Sequence, residues 1–133
     1  MNIYALDSNI ISYVLKDDKT VIERYREEAM NGNEFVMPPI VYFEVKCWLL
    51  ERGAVKKQAE FHQMCKIISI GELNEKSLDI AAQLFVQARK RGKPVDNSDL
   101  LIAAFCLIND YTLITNNMRH FEDIDGLKLI NWK

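Results

Sequence analysis

The chain has little of what usually announces a function at sight. Of its 133 residues only three are cysteine, two histidine and three proline. Cys47, Cys65 and Cys106 are odd in number and lack Cys-x-x-Cys spacing, which excludes a disulfide framework and a zinc ribbon. Buried free thiols in a reducing cytoplasm are the expectation. His62 lies in a helix-like stretch with no obvious partner and His120 in the last loop, so a metal-free pair of catalytic histidines competes poorly. Neither a Gly-x-Ser-x-Gly elbow nor a phosphate-cradling glycine loop is present. The net charge is −2, so no global basic field marks a nucleic-acid binder. The longest apolar run, Leu100 to Ile108, is too short to cross a bilayer, and no membrane association is expected. Met1-Asn2-Ile3-Tyr4 leads straight into a strand-like stretch without a basic leader, and no signal peptide is expected.

What is present is an ordinary globular composition, 49% hydrophobic and 27% charged. It fits one domain spanning residues 1–133 with a single core. Strand-like segments at Ile3–Leu6, Glu34–Met37, Ile67–Ile70, Tyr111–Thr115 and Leu127–Trp132 alternate with helical ones. The helices are expected at Ile10–Leu15, Asp18–Ala29, Ile40–Leu50, Ala54–Cys65 and Asn74–Arg91, and again after Asp96. In the long helix Leu78, Ala81, Ala82, Phe85 and Ala88 are expected to face inward. Strands separated by helices imply an α/β domain with a mainly parallel sheet, covered on both faces.

The organising stretch is Lys93-Pro94-Val95-Asp96-Asn97-Ser98-Asp99, followed by the apolar helix Leu100 to Cys106. A helix without a polar face is buried, so its first turn opens onto the interior or a cleft and carries Asp99 with it. Acids kept from open water must be paired, hydrogen-bonded or metal-bound. Asp96 and Asp99 also have the spacing of a helix cap, and that plainer reading stands beside the first.

Other polar residues have similar placements. Asp7 follows the first strand, Asn116 and Asn117 follow the fourth, and ligands of parallel sheets bind outside the carboxyl ends of strands. Glu44 falls among Ile40, Val41, Cys47 and Trp48 at helical spacing, either a costly acid in an apolar stripe or one that snorkels at its edge or pairs with a lysine. Oxygen-rich side chains from several distant segments suit a hard cation, Mg²⁺ or Mn²⁺. The basic run Arg89-Lys90-Arg91-Gly92-Lys93 reads equally as cations at a helix carboxyl end or as a phosphate-contacting patch beside an acidic site.

Taken together and in this order, Leu6-Asp7-Ser8-Asn9, Glu44 after Pro38-Pro39, Asp99-Leu100-Leu101-Ile102-Ala103-Ala104 and Leu113-Ile114-Thr115-Asn116-Asn117-Met118-Arg119-His120-Phe121 resemble the PIN-domain nucleases. The likeness is greatest to the VapC-type toxins of bacterial toxin–antitoxin pairs and spans nearly the whole chain. The resemblance implies a three-layer α/β/α sandwich and a metal-dependent endoribonuclease. It makes Asp7, Glu44 and Asp99 the acidic core, with Asp7 and Asp99 the direct ligands of Mg²⁺ or Mn²⁺. Asp96 would be an auxiliary acid or only a cap, while Asn9 and Thr115 would orient the carboxylates. Asn117 stands where many PIN nucleases have a fourth acid, which removes one charge. Implied partners are RNA, a small cognate antitoxin and a second copy of the chain, with Tyr13, Tyr42, Trp48 and Phe61 as residues that could line an antitoxin groove. Two other classes stay open: a non-catalytic PIN-like binding module, and a haloacid-dehalogenase-type phosphatase, whose second acid would have to stand at Asn9.

Overall fold

The computed structural model describes residues 2–133. In chain order the elements are β1 (Ile3–Leu6), α1 (Ser8–Leu15), α2 (Lys19–Met30), β2 (Glu34–Met37), α3 (Pro39–Glu51), α4 (Val55–Ile67), β3 (Ser69–Ile70), α5 (Glu75–Lys90), α6 (Asn97–Asn109), β4 (Thr112–Ile114), α7 (Met118–Phe121) and β5 (Lys128–Ile130). Local chemistry sets many of these boundaries. Asp18 caps α2 by accepting from the Val21 amide at 3.1 Å. Asn74 caps α5 by accepting from the Ser77 amide and hydroxyl at 2.9 and 2.8 Å. Pro39 occupies the first turn of α3, where its missing N–H leaves no bond unmade.

The five strands form one sheet in the order β3-β2-β1-β4-β5, with every pairing parallel. From β1 the chain steps outward to β2 and β3, then returns across the sheet to β4 and β5. Crossovers that step in opposite directions put their helices on opposite faces, and the helices pack accordingly, α1–α4 among themselves and α5–α7 among themselves, with α3 meeting α6. The reversal falls between β1 and β4, and in parallel sheets that is where a crevice opens at the strands' carboxyl ends. Ala5 pairs with Leu113 and Leu6 with Ile114, so Asp7 and Thr115 leave the sheet side by side there.

Helix α6 is buried along Leu100 and Ile102 through Cys106, as its apolar surface requires. A Cβ at Gly71 would lie 2.3 Å from the ring of Phe105, so glycine is needed for the chain to pass this helix. Elsewhere in the core, Tyr25 and Phe35 have ring centroids 4.7 Å apart, and Tyr4 and Trp132 complete an aromatic cluster with them.

Some expectations need correction. Ile67 ends α4 and is exposed, which leaves only Ser69–Ile70 as a strand. The run of isoleucines reads as a strand by composition, but Ile67 belongs to the helix before it. On α5 the inward positions are Ser77, Ala81, Leu84 and Ala88, while Leu78, Ala82 and Phe85 face outward. The thiols also differ: Cys106 is buried, Cys65 is half-buried and Cys47 is exposed.

Candidate active site

Three segments deliver carboxylates to one cavity at the carboxyl ends of β1 and β4. Asp7 comes from the β1–α1 junction, Glu44 from α3 and Asp99 from the first turn of α6. They line a space of about 330 Å³ together with Ser8, Asp96, Asn97, Ser98, Asn117 and His120.

Asp7 is the most deeply placed, with 3% of its surface exposed. Its carboxylate accepts from the Thr115 hydroxyl at 2.8 Å, the Ser8 amide at 2.8 Å and the Asn9 amide group at 3.4 Å. Thr115 is itself buried and accepts from the Asn117 backbone amide at 2.9 Å. Asn9 in turn accepts from the Asn116 backbone amide at 3.0 Å. Thus Asn9 and Thr115, 106 positions apart, grip the same carboxylate. Burial nevertheless raises the Asp7 pKa; its hydrogen bonds and the nearby His120 pull it down, but by less.

Glu44 is half-buried, and among the described residues its side chain makes no hydrogen bond or ion pair. Its pKa is raised by burial and by repulsion from Asp7 and Asp99, with nothing opposing. The lysine-paired alternative therefore does not hold. Asp99 is raised by burial, lowered by His120, and raised again by Asp7 and Asp96. Its Oδ2 lies 3.0 Å from Nδ1 of His120.

That contact takes the Asp99 carboxylate away from a side-chain cap. No capping box forms, because Asp96 makes no side-chain bond to the helix amides and Asp99 turns to His120. Asp96 holds the N-cap position by backbone alone, and its side chain borders the acidic cavity. His120, set aside on sequence, is the residue that reading missed. Its signal is its place in the short helix α7, directly after the strand end that carries Thr115 and Asn117.

Asn117 borders the cavity, whereas Asn116 is turned away and donates to the Tyr13 hydroxyl at 2.9 Å. Behind Glu44, a shallower groove shares Ser8, Glu44 and Asn117 with the cavity and continues to Asn9, Ser12, Val45 and Trp48. The basic run has divided placements. Arg89 and Lys90 occupy the last turn of α5, Gly92 turns the chain at φ +73°, and the Arg89 guanidinium lies 4.5 Å from the Phe85 ring centroid. Arg89 and Lys93 line separate depressions that share Asp96, while Lys90 and Arg91 line neither. Of the expected groove aromatics, Phe61 is buried and Tyr42 stacks on it at 5.6 Å, so both belong to the core.

The donor set suits a hard cation: carboxylate oxygens from three elements, an amide side chain beside them, and mutual repulsion that a positive ion would relieve. Among the described residues, no three His, Cys, Asp or Glu side chains converge on one point as a ready-made metal cluster. The acids surround a space instead, which fits an ion that retains several of its waters.

Sequence and fold are shared with known proteins. A PIN-domain profile matches residues 4–127, and the chain belongs to the PIN-domain family. Within it, the chain is 29% identical to ribonuclease VapC1 of Haemophilus influenzae, over 98% of both chains. It is 26% identical to the tRNA(fMet)-specific endonuclease VapC of Shigella flexneri, over 97% of both. The fold superposes with a TM-score of 0.90 on a chain of the Rickettsia felis VapBC2 structure bound to a promoter DNA fragment, at 26% identity over 98% of this chain and 99% of that one.

Proposed function

We propose that this chain is a VapC-type endoribonuclease, dependent on Mg²⁺ or Mn²⁺, and the toxin of a toxin–antitoxin pair. The observation that carries the reading is the meeting of Asp7, Glu44 and Asp99 in one cavity, where burial raises the pKa of all three. Acids held against their own repulsion have a purpose when a cation joins them.

In this reading Asp7 and Asp99 hold the ion. Thr115 and Asn9 fix the Asp7 carboxylate, and His120 steadies Asp99, as orienting partners do around metal sites. The bound ion supplies positive charge against the phosphate oxygens and makes water a better nucleophile. Glu44 accepts a proton from the attacking water, since its carboxylate is committed to no other partner. Asp96 lends a further negative charge at the rim. Asn117 offers a neutral oxygen, so a second ion would bind weakly. Attack by water leaves a 5′-phosphate and a 3′-hydroxyl. The name of the Shigella relative makes transfer RNA the substrate to try first. Arg89, Lys90, Arg91 and Lys93 are the proposed contacts for the outer backbone of a folded RNA, away from the scissile strand.

A small antitoxin is the proposed inhibitor, by likeness to the VapBC assembly. A second copy of the chain fits the apolar groove of Ala81, Ala82, Phe85, Val86, Leu100 and Leu101 between α5 and α6. No helix among the described residues is long and apolar enough to cross a membrane, and a cytoplasmic site of action accords with an RNA substrate.

The test is to incubate antitoxin-free protein with bulk transfer RNA, with Mg²⁺, Mn²⁺ or EDTA, beside Asp99→Asn. Discrete metal-dependent fragments with 5′-phosphate ends, absent with the variant, are expected. A 2′,3′-cyclic phosphate would exclude water as the nucleophile. Binding without cleavage in any metal would favour the non-catalytic module, the reading that the neutral Asn117 suits. The phosphatase reading loses its second acid at Asn9, whose amide donates to Asp7 at 3.4 Å.

A further inference from the structure

The acidic cavity does not end at Glu44. Beyond it the groove of Ser8, Asn9, Ser12, Val45 and Trp48 runs between α1 and α3, joined to the cavity through Ser8, Glu44 and Asn117. Trp48 is half-buried at its far end, a flat aromatic left partly open. The Arg52 guanidinium lies 4.4 Å and the Lys16 ammonium 5.2 Å from its ring centroid. Among the described residues neither cation makes an ion pair, and both are exposed.

We infer that this groove is a subsite for one unpaired nucleotide of the RNA, its base against Trp48 and its phosphate held by Arg52 and Lys16. The inference rests on the endoribonuclease reading and adds where the strand runs. Each part of a nucleotide meets a matching group. A base has a π-face that stacks on an indole, and such stacking is sequence-tolerant. The sugar hydroxyls and base edges find the hydroxyls of Ser8 and Ser12 and the amide of Asn117. The backbone finds two cations that have no carboxylate to give up and that leave the ring face to the base as they turn to the phosphate.

The opposite flank of the acids is different. Lys93 and Arg119 share it with Asp96, Glu122 and Asp123, and Lys93 is already 3.5 Å from Asp123. Mixed charge of that kind attracts a polyanion less than the Trp48 side, where Glu44 is the one acid lining the groove. A strand whose scissile phosphate meets Asp7 and Asp99 therefore continues past Glu44 toward Trp48.

The chain has two tryptophans, and Trp132 is 2% exposed, so an RNA-dependent change in indole emission reports on Trp48. Titrating the non-cutting Asp99→Asn protein with single-stranded oligoadenylate should quench the emission, and adding Trp48→Phe should abolish that signal. In the cleaving protein, Trp48→Leu should raise KM for bulk transfer RNA about tenfold with kcat little changed, while Trp48→Phe keeps most of the affinity. Arg52→Glu or Lys16→Glu should flatten the salt dependence of binding by about 0.7 in log–log slope per lost contact. Wild-type KM in Trp48→Leu, with emission indifferent to RNA, would overturn the inference. So would loss of antitoxin inhibition in that variant with RNA kinetics unchanged, which would give the groove to the protein partner. A wild-type protein that neither cuts nor binds RNA would remove the endoribonuclease reading itself, and the subsite with it.

Discussion

The aromatic cluster and the acidic cavity are built on the same sheet and obey opposite rules. Tyr4, Tyr25, Phe35 and Trp132 gather by burial, and their rings meet at tilted and edge-on angles that suit aromatic pairs. One polar atom there, Nε1 of Trp132, is buried without a hydrogen-bond partner. Every other feature of that cluster stabilises the fold. In the cavity, burial and mutual repulsion work against the ionised state of Asp7, Glu44 and Asp99. One region holds the protein together; the other is held together by it. Substitutions should separate the two.

The largest contrast is in activity. Asp7→Asn or Asp99→Asn should lower RNA cleavage by more than about a hundredfold, the loss seen when only an outer partner of a metal ligand is removed. Circular dichroism should stay native. A variant of either kind that retained activity would break the comparison at its functional end. Next comes stability: Trp132→Ala should cost about 3–5 kcal/mol in denaturant unfolding while the folded fraction keeps its cleavage rate. Trp132→Phe should cost less, because it also removes the orphaned N–H. Gly71→Ala, which drives a methyl into the Phe105 ring, should cost about 1–3 kcal/mol.

The smallest effect has the most telling sign. Glu44→Gln should raise the melting temperature of the metal-free protein by a few degrees, since every influence on Glu44 opposes its charge. The pH dependence follows from the same shifts. A carboxyl whose folded pKa is raised keeps its proton in the native state where the unfolded chain has lost it. Metal-free stability from this source is therefore present at low pH and falls as pH rises from the ordinary values, 3.8 for Asp and 4.5 for Glu, through the raised ones. Melting curves across that window should show a shallower decline in Glu44→Gln. An unchanged melting temperature in the variant would mean that the Glu44 charge costs nothing, and a lower one that it stabilises the fold.

Sequence carried most of this architecture, for identifiable reasons. Alternation of strand and helix patterns set the parallel sheet. The wholly apolar surface of α6 required burial and took Asp99 inward. Asp7 was readable because it follows a strand. What escaped depends on contacts between distant segments. The spacing of Asp96 and Asp99 is that of a cap, yet His120, 21 residues on, takes the Asp99 carboxylate. Leu78 and Phe85 look like core residues by type, but the face of α5 that packs on α6 uses the smaller Ala81 and Ala88 with Leu84. Apolar type alone does not say which of two faces a neighbouring helix will cover. Likewise, Trp48 could be flagged as a large aromatic, but not as one with cations from α3's end and α1's end beside it.

The central claim is that Asp7, Glu44 and Asp99 are kept close for a cation. The most direct measurement is the melting temperature of the wild-type protein and of Asp99→Asn, each titrated with Mg²⁺ and Mn²⁺ without RNA. A ligand that binds only the native state raises the melting temperature with its concentration. The account predicts a saturating rise in the wild type that is lost or strongly weakened in Asp99→Asn. No rise in the wild type with either ion, or the same rise in both proteins, would contradict it.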